Sequence, residues 1–149
     1  MNMILSNNFK LSEFIYSTTA EKYGIDNTPN DAELSHIKEL VGNFLQPLRD
    51  AWGSGINVTS GFRCNLLNSH KEIGGSPTSA HVTGWAVDIK PSNGDMKAFQ
   101  GFVISWAVAN FVKFDQIIIE YPKNGVASWI HIGLRNRGGE QRGQIKAIK

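Results

Sequence analysis

His81, Asp88 and His131 are the side chains best suited to chemistry in this chain. They lie in two short segments, Ser79-Ala80-His81-Val82-Thr83-Gly84-Trp85-Ala86-Val87-Asp88 and Ser128-Trp129-Ile130-His131. Two imidazoles and one carboxylate form a full protein ligand set for a catalytic zinc ion, with the fourth position left for water. The step from His81 to Asp88 is too long for the helical His-Glu-x-x-His pair of other metal sites. The ligands must instead converge through a turn at Thr83-Gly84 and a second strand that carries His131. Hydrolysis at such a metal also needs a base and a cation for the developing oxyanion. Glu120 is the candidate base, and Asp115, at the start of its strand, is the weaker one. Arg63, fixed by the Ser60-Gly61-Phe62 turn, is the candidate cation, with a structural salt bridge as its alternative. His36, on a helix and facing solvent, and His70, in a polar segment, are read as non-ligands.

The elements that must position these groups can be read from periodicity. Phe9, Leu11, Phe14 and Ile15 anchor a short helix in an otherwise polar stretch from 8 to 30. Asn30 caps the next helix with Glu33 at the capping-box position, and Leu34, Ile37, Leu40, Val41, Phe44, Leu45 and Leu48 recur at helical spacing. Pro47 should kink or end that helix near Gln46. Ile56 to Thr59 alternate as a strand, and residues 65–80 read as a short helix followed by a long loop. Trp85, Val87 and Ile89 share one face of a strand, which puts Asp88 on the other. Met96, Phe99, Phe102, Val103, Trp106 and Ala107 form the stripe of a helix from about Asp95 to Asn110. Gln116 to Glu120 and Trp129 to Ile132 are two further strands. If Asn124-Gly125 closes a two-residue hairpin, Ile118 lies opposite His131 and Glu120 shares that face; a bulge would reverse the parity. Helices followed by strands in this order predict an α+β fold, a small antiparallel sheet packed on helices.

Size and composition narrow the setting. The 149 residues, 41% hydrophobic and 19% charged, suit one soluble domain able to bury its own core. A net charge of +2 points to neither nucleic acid nor membrane as a partner. The charge is uneven: from about 135 the chain ends in a basic tail in which Arg135, Arg137, Arg142, Lys146 and Lys149 face only Glu140. That tail is either a flexible, solvated terminal segment or an attraction for an anionic polymer. The single cysteine, Cys64, excludes a disulfide framework and reads as a half-buried filler. The start, Met-Asn-Met-Ile-Leu-Ser-Asn-Asn, has neither the charge nor the apolar run of an export signal, so synthesis in the cytosol is expected.

At these residues the sequence resembles the zinc D-Ala-D-Ala peptidases of the M15 group, in their small single-domain form from phages and bacteria. Asn8-Phe9, Glu13-Phe14, Asn27-Thr28-Pro29, Pro47-Leu48-Arg49, Val58-Thr59-Ser60-Gly61-Phe62-Arg63 and Asn68 are similar to that group's pattern. So are Gly74-Gly75-Ser76, Ser79-Ala80-His81, Gly84-Trp85-Ala86-Val87-Asp88, Asp115-Gln116 with Glu120, and Trp129-Ile130-His131.

The resemblance implies an α+β fold shared with the zinc-bearing hedgehog signalling domain. It implies a monomeric enzyme that cuts peptide bonds in peptidoglycan stems or cross-links. His81, Asp88 and His131 match the zinc ligands, Arg63 the arginine that steadies the scissile carbonyl or a substrate carboxylate, and Ser79 a serine that helps to hold substrate. One position departs from the pattern. Better-known branches carry the catalytic glutamate three residues before the last histidine, where this chain has Ser128, and Glu120 resembles the substitute of the small form. A wall substrate without an export signal suggests release during phage lysis. The competing expectation is a zinc-containing wall-binding module without catalysis on the same fold.

Overall fold

The computed structural model describes residues 3–149; Met1 and Asn2, where the stretch read for an export signal begins, lie outside them. The chain opens with a small hairpin, β1 (Ile4–Ser6) and β2 (Phe9–Lys10), which leads into α1 (Leu11–Ile15) and α2 (Thr18–Tyr23). Helix α3 (Asp31–Leu40) starts at Asn30, whose side chain accepts from Glu33 N–H at 2.8 Å while Glu33 accepts from Asn30 N–H at 2.8 Å. That is the expected capping box. Its apolar stripe runs on through a π-helical turn (Val41–Leu45) into α4 (Gln46–Trp52).

Pro47 therefore does not end the helix, as its residue type suggests. A proline ring clashes with the carbonyl four residues back and supplies no N–H. The widened turn just ahead of Pro47 takes up that misfit, and the helix continues to Trp52.

The remaining elements are β3 (Ile56–Ser60), α5 (Asn65–Ser69), a 3₁₀ turn (Ala80–Val82), β4 (Ala86–Pro91), α6 (Met96–Ala109), β5 (Gln116–Glu120), β6 (Trp129–Gly133) and β7 (Gln144–Ile148). Helix α6 is capped by Asp95, which accepts from Ala98 N–H at 3.1 Å. The main sheet runs β3-β4-β6-β5-β7. Period-two alternation gives it two unlike faces. Val87, Ile89, Ile117, Ile119, Ile130 and Ile132 are all buried and pack with Leu40, Phe44, Phe99 and Val103 of the helices in one core. Burying each such side chain contributes ~1.5–3 kcal/mol, so this face locks the register. The opposite face then has no choice of what it presents: Asp88, His131 and Glu120.

The fold is α+β, as expected, but the sheet is mixed rather than purely antiparallel. β7 pairs parallel to β5, with Ile118 opposite Lys146. The chain leaves β6, crosses over through residues 134–143 and returns on the far side of β5. No helix among the described residues is long and apolar enough to cross a membrane.

Candidate metal centre

His81 sits in the 3₁₀ turn, where its N–H donates to Ser79 Oγ at 3.2 Å. Its ring Nδ1 lies 2.7 Å from the Gly61 carbonyl oxygen. A carbonyl only accepts, so Nδ1 carries the proton and the Nε2 lone pair is free. Nε2 stands 3.4 Å from Asp88 Oδ1, and His131 Nδ1 stands 3.0 Å from the same oxygen. A tetrahedral zinc with bonds of ~2.0–2.1 Å keeps its donors about 3.3 Å apart. Both separations suit such an ion, the three donor atoms all lie within 4.8 Å of one another, and the residues fit the ion the sequence implies. Gly84, at φ +91°, makes the turn that carries the chain from His81 to Asp88; a Cβ there would lie 2.6 Å from the Glu33 carbonyl oxygen.

Protonation agrees with the donor role. Burial pushes the His81 pKa below its ordinary value, against the pull of Asp88, so the imidazole is neutral. Burial opposes the charge on Asp88, but the imidazoles of His81 and His131 outweigh it and hold the carboxyl well below the usual carboxylate range. Neutral imidazole and ionised carboxylate are the forms a metal takes up.

Arg63 is placed by the end of β3. The register of β3 against β4 slips between Val58 and Ser60, a bulge that bends the strand end beside Asp88. Gly61 then passes so close to α1 that a Cβ would collide with the Phe14 carbonyl. Phe62 N–H donates to that carbonyl at 2.6 Å, and Arg63 N–H donates to the His81 carbonyl at 3.1 Å. The buried side chain of Asn27 staples the same turn. Its Nδ2 donates to the Ile15 and Phe62 carbonyls at 2.9 Å each, and its Oδ1 accepts from Cys64 N–H at 2.8 Å. The Arg63 guanidinium reaches Ser79 Oγ at 3.4 Å, while its Nε is buried with no acceptor among the described residues. Burial lowers its pKa and Asp88 opposes that shift. No salt bridge ties Arg63 down among the described residues, so the structural alternative to a substrate-facing cation finds no partner here.

Glu120 is where the conditional hairpin puts it. Asn124 at φ 53° and Gly125 at φ 77° form the two-residue turn, with Lys123 paired to Val126, Glu120 to Trp129 and Ile118 to His131. Glu120 is half-buried and lines the same cleft as His81, Asp88, His131, Arg63 and Ser79. Burial raises its pKa, with Asp88 adding to the shift and His131 opposing it. Ser128 spends its groups on the strand that holds Glu120: its N–H donates to the Glu120 carbonyl at 2.9 Å and its Oγ to the Tyr121 carbonyl at 2.8 Å.

The weaker candidate base is otherwise engaged. Asp115 is buried and accepts from Arg142 Nε at 2.7 Å and Nη2 at 2.9 Å. His36 also differs from its solvent-facing reading. It is half-buried, stacks on Trp85 at 3.6 Å and holds the Thr83 carbonyl at 2.8 Å, so it braces the turn between two ligands without joining them. Cys64 is half-buried, as expected.

The cleft measures about 510 Å³ and includes residues that the sequence did not assign to it: Arg137, Arg142, Lys146, Tyr121, Trp129 and Asn136. The C-terminal segment is thus a wall of the site rather than a detached solvated tail. Arg135 makes a two-pronged ion pair with Glu39 at 3.1 Å, Arg142 holds Asp115, and Lys146 stands in β7. Periodicity carried no sign of β7, because every residue of it is exposed. Its pairing comes from backbone hydrogen bonds and one side-chain bond, from Gln116 Nε2 to Gln144 Oε1 at 2.9 Å.

The family model described as Peptidase M15 matches residues 7–132, from the first hairpin through His131 and Ile132 of β6. No curated protein matches the chain.

Proposed function

The chain belongs to the M15 peptidase family, and from that premise we propose that it is a zinc peptidase cleaving peptide bonds in peptidoglycan stem peptides or cross-links. The observation that carries this reading is the set of three donor atoms within 4.8 Å of one another in a cleft that also holds Glu120 and Arg63. A zinc ion held by His81 Nε2, Asp88 and His131 Nδ1 supplies a Lewis acid that acidifies water and polarises a carbonyl.

The chain's own groups do the rest. The Gly61 carbonyl fixes the His81 tautomer by accepting a hydrogen bond from Nδ1–H, so the ring does not turn its N–H toward the ion. Glu120 takes a proton from the attacking water and delivers it to the leaving amine, and its raised pKa suits both tasks. Arg63, with an uncommitted Nε and a second nitrogen on Ser79, steadies the oxyanion or a substrate carboxylate. Ser79 keeps its hydroxyl at the junction of His81 N–H and Arg63, where it orients the bound peptide. The setting we propose is phage lysis, with one copy of the chain acting on the wall.

Purified protein is incubated with muropeptides, with zinc and with chelator, and the products are weighed by mass spectrometry. Loss of terminal D-Ala, opening of a cross-link, or a cut between L-Ala and D-Glu each supports peptidase action and names the bond. Muropeptides left intact in the presence of zinc, yet retained by the protein, overturn the reading in favour of a binding module.

A further inference from the structure

The cleft carries more positive charge than the proposed chemistry uses. Besides His81, His131 and Tyr121, its ionisable lining comprises Arg63, Arg137, Arg142 and Lys146 against Asp88, Asp115 and Glu120. Arg142 is neutralised by Asp115, and Asp88 is committed between the two imidazoles. Arg63 lies at the β3 end. That leaves Arg137 and Lys146, both in the lining of the cleft, and neither has a carboxylate partner among the described residues.

Their placement is set by the fold. Sheet register aligns Asp88, His131, Ile118 and Lys146 in one cross-strand row, so Lys146 points to the same face as the metal ligands. Strands are ~4.8 Å apart, which puts Lys146 about 14 Å from Asp88 along the row, roughly four residues of extended peptide. Arg137 donates from Nη1 to the Pro77 carbonyl at 2.6 Å, joining the β6–β7 connection to the loop that leads to His81. This bond orients the guanidinium without cancelling its charge, and leaves it donors to spare.

We infer that Lys146, at the β7 end of the cleft and helped by the positive charge of Arg137 in the same lining, selects peptides bearing a carboxylate some residues away from the bond that is cut. The inference deepens the peptidase reading and rests on it. Arg63 serves the reacting end; Lys146 of β7 reads the remote end. Lys146 is exposed, so its removal leaves the core intact.

The test uses zinc-loaded Glu120→Gln protein, which holds peptide without turning it over, and two muropeptides with the same free C-terminus. In one the non-terminal carboxylates are free, and in the other they are amides. Calorimetry should show the free form binding about fivefold tighter, equivalent to about 1 kcal/mol. Lys146→Met in the same background should cut most of that preference while leaving the amidated peptide's affinity unchanged, and raised salt should shrink it in the parent protein. Equal binding of the two peptides overturns this role for Lys146, as does an equal loss for both in Lys146→Met. Failure of the wild-type protein to cut either peptide refutes the peptidase reading instead, and leaves the binding comparison standing.

Discussion

Asn27 is the buried polar residue on which the placement of Arg63 depends, and replacing it by alanine tests that dependence. The change strands the Ile15 and Phe62 carbonyls and the Cys64 N–H. The bond to Phe62 is fully buried and the other two are half-buried. A buried group left without its partner costs ~1–3 kcal/mol, a half-exposed one that water can reach less, so the sum is about 3 kcal/mol. For a chain of this length that lowers the melting temperature by about 6–12 °C. Asn27→Asp sharpens the test. Its carboxylate still accepts from Cys64 N–H, but its other oxygen now faces two carbonyls. A proton would restore one bond, so the folded-state pKa rises above the unfolded value of about 3.9. Stability is then fully present below that unfolded value and is lost as pH rises through the folded one. Urea denaturation of the metal-free variants across pH reads both effects. A cost under about 1 kcal/mol for Asn27→Ala, or Asn27→Asp as stable as wild type at neutral pH, refutes the staple. In the folded Asn27→Ala protein, kcat/KM should also fall while zinc content stays full, since the ligands are held elsewhere.

Glu120→Gln should keep the metal and lose ~10²–10⁴ in kcat, measured by muropeptide turnover beside metal analysis; near-normal turnover removes Glu120 from the mechanism. Asp88→Ala should leave His81 and His131 unable to hold zinc, so equilibrium dialysis should find far less than one ion per chain, and a fully metallated, active variant sinks the ligand set. Because burial raises the Glu120 pKa and the base must be ionised, the acidic limb of kcat/KM should lie above the ordinary glutamate range, and a limb at the ordinary value contradicts the role. In metal-free protein the buried, neutral His81 charges more readily in the unfolded chain. Folding stability should therefore be full above about pH 6.5 and decline below it, with chemical denaturation at stepped pH as the check.

How much of this was legible in the sequence depends on what each signal measures. Hydrophobic alternation reports burial, so β4, β5, β6 and α6, whose apolar sides are sealed in the core, were placed to within a residue or two. The two-residue turn at Asn124-Gly125 transmits its register from Lys123 and Val126 down to Ile118 and His131, and so the facing of Glu120 followed from turn chemistry. β7 has no buried residue, and a pattern that reports burial is silent about a strand held by hydrogen bonds rather than by apolar contact. At Pro47, expected to kink or end the helix, the chain does not end the helix but departs from regular α geometry just ahead of it. The proline's local cost is real, but the apolar stripe of Phe44, Leu45 and Leu48 repays a widened turn. His36 looked solvent-facing because its partners, Trp85 and the Thr83 carbonyl, lie far away in sequence.

The same division explains how the site is built. His81, Asp88 and His131 descend from elements locked by the core: two adjacent central strands and a turn pinned to Gly61. Donor atoms that must hold tetrahedral spacing need that rigidity, because an error of half an ångström in a ligand position is already damaging. The β7 wall has no such anchor beneath it, and its Lys146 reaches the cleft on an exposed edge strand. Recognition of a remote carboxylate tolerates this, since attraction between charges falls off gradually with distance while coordination does not. Substitutions in β7 should accordingly change which peptides bind, and leave metal affinity where the core sets it. Zinc titration of Lys146→Met beside the wild type decides the matter: a shifted zinc affinity would show that edge strand and metal centre are coupled, against the separation drawn from the sheet.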